Sequence, residues 1–182
     1  AFCFSLANVL IGGISGGMRP LIGFLSGARD TLGTRRILNK GLMICFAAVG
    51  TMTAVILLFP GLFFYLHGVH DLPESGVVSL RLYSLYFVFG GFDTLFRVFF
   101  INRKETKFST VTTVLNNILL LVIAYAFASL LPPPCVWLSY LVTSLLMLGI
   151  DLWFYKSLEK SDSEKEDAKL LYLSVKPDEA LE

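Results

Sequence analysis

The stretch Phe108–Ile150 reads FSTVTTVLNNILLLVIAYAFASLLPPPCVWLSYLVTSLLMLGI. Its 43 residues contain no Asp, Glu, Lys or Arg. A soluble domain wets its surface with charge, about one residue in four. A chain that omits charge for this long is built for lipid. Each half of the stretch is long enough to cross a bilayer as a helix, which takes about 20 apolar residues. Neither half alternates polar and apolar positions as a barrel strand would. Helices satisfy their backbone groups internally, so the stretch predicts two membrane helices. Leu131-Pro132-Pro133-Pro134 separates them, because proline lacks an N–H and excludes helix from the residue before it.

Working outward, the whole chain has the same character. Of its 182 residues 55% are hydrophobic and only 16% charged. That excludes a disordered chain. A net charge of +1 offers no basic footprint for nucleic acid. Five spans are predicted: residues 1–26, 41–66, 82–101, 108–131 and 132–155. The fold class expected is an all-α polytopic membrane bundle. Arg29, Arg35, Arg36 and Lys40 follow the first span, and Arg103, Lys104 and Lys107 follow the third. The loop after the second span holds His67, His70, Asp71 and Glu74 with only Arg81, and the turn after the fourth is uncharged. Basic and non-basic connections alternate, as a serpentine chain requires. The basic loops and the C-terminus are therefore expected in the cytoplasm. The first span then enters from outside. Its start at Ala1, with no charged leader, is read as missing upstream sequence.

Inside the spans a few residues are chemically expensive. Asp93 and Arg97 lie four apart on one face of the third span. Arg97 can snorkel towards water, but Asp93 is too short to do so. A carboxylate inside a membrane is usually paired, protonated or functional. Two readings stay open: a structural Asp93–Arg97 ion pair, and an ion- or proton-coupling site. Tyr86 shares the Asp93 face two turns away, while Tyr83 reads as an interface anchor. Asn116 and Asn117 either line a polar path or bond across helices, the commoner fate. Gly12, Gly13, Gly16, Gly17, Gly23 and Gly27 fall four apart in pairs, a groove for a neighbouring helix, and Pro20 permits a kink. Arg19, beside Pro20, either snorkels or lines a cavity. Cys3, Cys45 and Cys135 form no Cys-x-x-Cys motif, and His67 with His70 reads as solvated loop, so no metal site is expected. No nucleophile–base pair, phosphate loop or dinucleotide fingerprint occurs, so no catalytic residue and no enzyme are expected.

The run Gly16-Gly17-Met18-Arg19-Pro20-Leu21-Ile22-Gly23-Phe24-Leu25-Ser26-Gly27-Ala28-Arg29-Asp30, followed by Arg35-Arg36, resembles the multidrug and toxic compound extrusion (MATE) transporters. In that family a small residue precedes Gln-Pro, an aliphatic pair and a Gly-Ala turn; here Arg19 replaces the Gln. Phe59-Pro60-Gly61, Leu82–Phe92 and the basic turn Asn102–Ser109 are similar to later parts of the family. The resemblance covers about residues 1–155 and implies helices eight to twelve of a twelve-helix, two-lobed transporter. It implies export of cationic or amphiphilic compounds in exchange for sodium ions or protons. It also implies a coupling role for Asp93, since some members carry an acid in the tenth helix. A coupling Na+ or H+ is the only cofactor implied. The partners implied are the lipid bilayer, a missing first lobe of the same polypeptide and a small-molecule substrate, in a bacterial inner (plasma) membrane. Two other readings are a lipid-linked oligosaccharide flippase of the same superfamily, kept open by Arg19 and Arg97, and a non-transporting scaffold or sensor.

The end of the chain changes character. Residues 151–182 hold nine acids and five lysines. Residues 156–182 are expected as a charged cytoplasmic tail. Leu158–Leu170 reads as exposed helix or linker. Leu170–Val175 looks strand-like, and Pro177-Asp178-Glu179 resembles a helix start. The tail is then either disordered or the opening of a truncated soluble domain.

Overall fold

A computed structural model of the chain describes residues 2–66, 74–130 and 132–175. It is a bundle of helices with no strand among the described residues. The helices are α1 (Phe2–Gly27), α2 (Thr31–Leu58), α3 (Pro60–Leu66), α4 (Glu74–Ser84), α5 (Tyr86–Asn102), α6 (Thr106–Leu130) and α7 (Leu138–Val175). A 3-10 turn, Pro133–Trp137, precedes α7. Five helical stretches are long and apolar enough to cross a membrane: residues 3–27, 31–58, 75–102, 106–130 and 135–164. The all-α polytopic bundle expected from the charge-free runs is therefore present.

The boundaries differ from expectation in instructive ways. The second span starts at Thr31 rather than residue 41, because Asp30 caps it: its side chain accepts a hydrogen bond from the Gly33 N–H at 2.7 Å. Arg35, Arg36 and Lys40 thus belong to a helix, not to a loop. Pro60 ends α2 and opens α3, consistent with proline at a first helical position. The third span begins earlier, in α4, with a break at Leu85. Around the Pro-rich break, Pro133 opens the 3-10 turn that leads into α7. The strand-like reading of Leu170–Val175 is corrected: α7 continues as one helix to Val175. Charged residues spaced for i,i+4 pairing, such as Lys160 and Glu164 at 3.9 Å, let a helix persist in water. Pro177-Asp178-Glu179 lies outside the described residues, as do His67, His70 and Asp71.

α5 is the hub. It packs against α1 and α2 on one side and α6 and α7 on the other. Its phenylalanines Phe87, Phe96, Phe99 and Phe100 are buried. Close approach is bought at Gly91, where a Cβ would lie 2.8 Å from Cys45 Sγ on α2 and 3.3 Å from Ile11 on α1. Gly41 on α2 does the same for Met18 of α1. By contrast, positions Gly12, Gly13, Gly16, Gly17, Gly23 and Gly27 have nothing within 4 Å of an added Cβ. The groove expected on α1 is not filled within this bundle. α1 instead turns in Cys3, Ala7, Ile11, Ser15, Met18 and Ile22, a stripe at helical spacing that leaves the glycines outside. The helix runs unbroken through Pro20. Outward-facing apolar residues such as Phe24, Phe46, Leu121 and Tyr125 give the bundle its lipid-facing surface.

The two turns at the basic end share one construction. Arg29 (φ 59°) and Lys104 (φ 64°) adopt the left-handed conformation. The following N–H groups reach back, Asp30 to the Leu25 carbonyl at 2.9 Å and Glu105 to the Phe100 carbonyl at 3.0 Å. This closure satisfies helix-end carbonyls that would otherwise be orphaned.

Candidate functional site

Asp93 sits on α5, nine residues before its end at Asn102, about 13 Å at 1.5 Å per residue. It is buried, and its Oδ2 accepts a hydrogen bond from Nη2 of Arg97 one turn on. The ion pair expected from the four-residue spacing is formed. Its Oδ1 is buried with no donor.

A second carboxylate joins it. Asp151 of α7 is fully buried, with 0% exposure, and neither of its oxygens has a hydrogen-bond donor. The Asp93 and Asp151 carboxyl groups lie within hydrogen-bonding reach of each other, with Arg97 inside electrostatic range of both. Counting Asp151 with the charged tail concealed this residue. The signal was there: Leu152-Trp153-Phe154-Tyr155 continues the apolar run past it. Thr143, Met147 and Asp151 also recur every four residues, which is one helix face, and all three are buried.

Aromatic rings close the site on both sides. Towards the end away from the basic turns, Tyr86 reaches along its helix over Gly90, where a Cβ would be 2.6 Å from the ring. Its ring centroid is 5.5 Å from that of Tyr140 on α7, and Tyr83 adds contacts at 5.2 Å to Tyr140 and 5.1 Å to Trp137. Towards the basic end, Tyr155 packs on Phe96 at 6.0 Å and Phe99 at 5.8 Å. Two buried carboxyls and a partly exposed guanidinium thus lie between aromatic layers. Taking charges out of water costs several kcal/mol per ion, and here two acids share one base.

The other sequence candidates lie elsewhere. Arg19 is on the exposed side of α1. Asn117 is exposed and donates to the Thr113 carbonyl of its own helix at 3.0 Å, so it makes no cross-helix bond there. Asn116 is half-buried on α6. The three cysteines are free. At the basic end a separate network forms. Arg35 Nη1 meets Glu159 Oε1 at 2.6 Å, and Arg103 Nη2 donates to both oxygens of Asp162 at 3.0 Å. Arg103 also stacks 5.5 Å over Phe99. These pairs tie the extension of α7 to α2 and to the α5–α6 turn.

Apolar spans around a hub helix that carries buried, paired charge define a polytopic membrane bundle. The MatE family model matches residues 2–126, more than half of the chain. The chain belongs to that family and is a MATE-type transporter segment. No curated protein and no solved structure matches it significantly.

Proposed function

We propose that the chain is part of a secondary active efflux transporter that exports cationic or amphiphilic compounds in exchange for sodium ions or protons. The observation that carries this reading is Asp93: a buried carboxylate on the hub helix, deep within a membrane span, with one oxygen lacking a donor. Intramembrane ionisable residues of this kind mark ion and substrate pathways. Alternating access rocks one helical unit against another around a midplane site. In this reading the open glycine face of α1 meets the first lobe, and the basic turns and α7 extension lie in the cytoplasm. No observation favours the flippase reading, since Arg97 is engaged by Asp93 and Arg19 faces outward.

The test is efflux of a cationic fluorescent dye from cells carrying the full-length gene. Asp93→Asn is expected to abolish export that depends on an ion gradient. Export and ion dependence equal to wild type would remove the coupling role from Asp93.

A further inference from the structure

We propose that Asp93 of α5 and Asp151 of α7 form one proton-binding site, in which a single proton is shared between the two carboxyl groups and Arg97 balances the remaining charge. The proposal rests on the transport reading for its purpose, but the site itself stands on geometry. Asp93 is 3% exposed and Asp151 0%. Three of their four carboxyl oxygens have no donor, and the fourth takes Arg97. The two groups are close enough to bond only if one of them carries a proton, because two carboxylates have acceptors and no donor. Unprotonated, the two like charges would repel each other at close range in a medium poorer than water at screening them. With one O–H donating to the neighbouring carboxylate, that repulsion becomes a hydrogen bond. The remaining negative charge then matches the guanidinium.

A proton needs no more than the two carboxyl groups, whereas a metal ion needs further ligands. A hard cation needs a shell of oxygen ligands. Among the described residues no group of three or more metal-ligating acids, histidines or cysteines forms. One turn from Asp151 lie Met147 and Tyr155, and one turn from Asp93 lie Phe89 and Arg97. The other ionisable groups on the packed helices are few near this depth. α5 adds Tyr86, α7 adds Tyr140 and Tyr155, α4 adds Tyr83, and α2 places Cys45 against Gly91. α1 contributes Cys3 near its start and exposed Arg19, and α6 contributes Lys107 in its first turn and Tyr125 near its other end, both exposed.

The shared proton also supplies a mechanical link. While present it fastens α5 to α7. Once released to water, it leaves two like charges facing each other, which drives the helices apart. The proton is taken from water on one side of the membrane and returned to water on the other, with no other bond made or broken.

The experiment is infrared difference spectroscopy on the full chain in lipid nanodiscs, at neutral pH in sodium-free buffer. Wild type is expected to show a protonated-carboxyl C=O band that shifts in D2O. Asp151→Asn and Asp93→Asn are each expected to abolish it, because the acid left behind pairs with Arg97 as an anion. A band unchanged in Asp151→Asn, or no such band in wild type, would overturn the proposal. So would loss of the wild-type band when choline chloride is replaced by sodium chloride, since that would make sodium the occupant. Should one variant fail to fold, the other and the D2O shift still decide. If the band behaves as expected but dye export is absent, the transport reading fails and the proton site stands.

Discussion

Two charged clusters in this bundle use the same residue types to opposite ends. At the basic end, Arg35, Arg103, Glu159 and Asp162 sum to zero, and every acid meets an arginine. In the middle, Asp93, Asp151 and Arg97 sum to minus one, and Asp151 meets no donor. The first cluster is closed and lies near water. It fastens the α7 extension to its neighbours with charges that cancel. The second is open and lies between aromatic layers, where an unmatched charge is costly. A closed network holds a structure together. An open one among buried groups leaves room for a partner that comes and goes, the role proposed for the shared proton.

The two clusters differ most at Arg97, the only cation of the middle one. Arg97→Met would leave two acids facing each other with no cation. Breaking a buried pair this way is expected to cost about 3–5 kcal/mol. Thermal unfolding of the purified protein should show the largest drop of any substitution considered, and adding Asp93→Asn should recover most of it. Full stability in the single variant would mean the site is wetter than its burial indicates.

Packing around the hub sharpens the contrast next. Gly91→Leu places a side chain where Cys45 Sγ and Ile11 already lie, so a loss of about 1–3 kcal/mol is expected by overpacking. Gly16→Leu, on the open face of α1, is expected to leave the stability of this bundle unchanged. Equal losses in thermal unfolding would contradict the packing described.

The closed network comes third. Asp162→Ala removes the acceptor of Arg103 and one partner of Arg35, an expected cost of about 1–2 kcal/mol. The loss should shrink in high salt, which screens charge near water. Salt should leave the Arg97→Met effect nearly unchanged. Lys104→Gly is the smallest change, and it is expected to stabilise by up to about 1 kcal/mol by relieving a left-handed non-glycine residue.

The fold was legible because lipid imposes a crude rule: charge-free runs of sufficient length must be helices. Helix ends were less legible, since hydropathy marks where lipid stops and not where hydrogen bonding stops. Thr31–Lys40 and the α7 extension are helical in spite of their charge, through an Asp30 cap and i,i+4 pairing. Half of the site was legible. Asp93 and Arg97 announce themselves by spacing within one helix. Asp151 touches Asp93 across 58 residues of sequence, and no local pattern states which helix faces which. The glycines of α1 mark a surface open to approach, but whether this bundle or another body fills it depends on the opposite stripe of large residues.

The proposed coupling runs through the acid pair. The direct measurement is dye export by the full chain in proteoliposomes under an imposed pH gradient, comparing wild type with Asp151→Asn. The gradient is expected to drive export by wild type and to have no effect on the variant. Export by Asp151→Asn that follows the gradient as wild type does would contradict the claim that the proton is carried between α5 and α7.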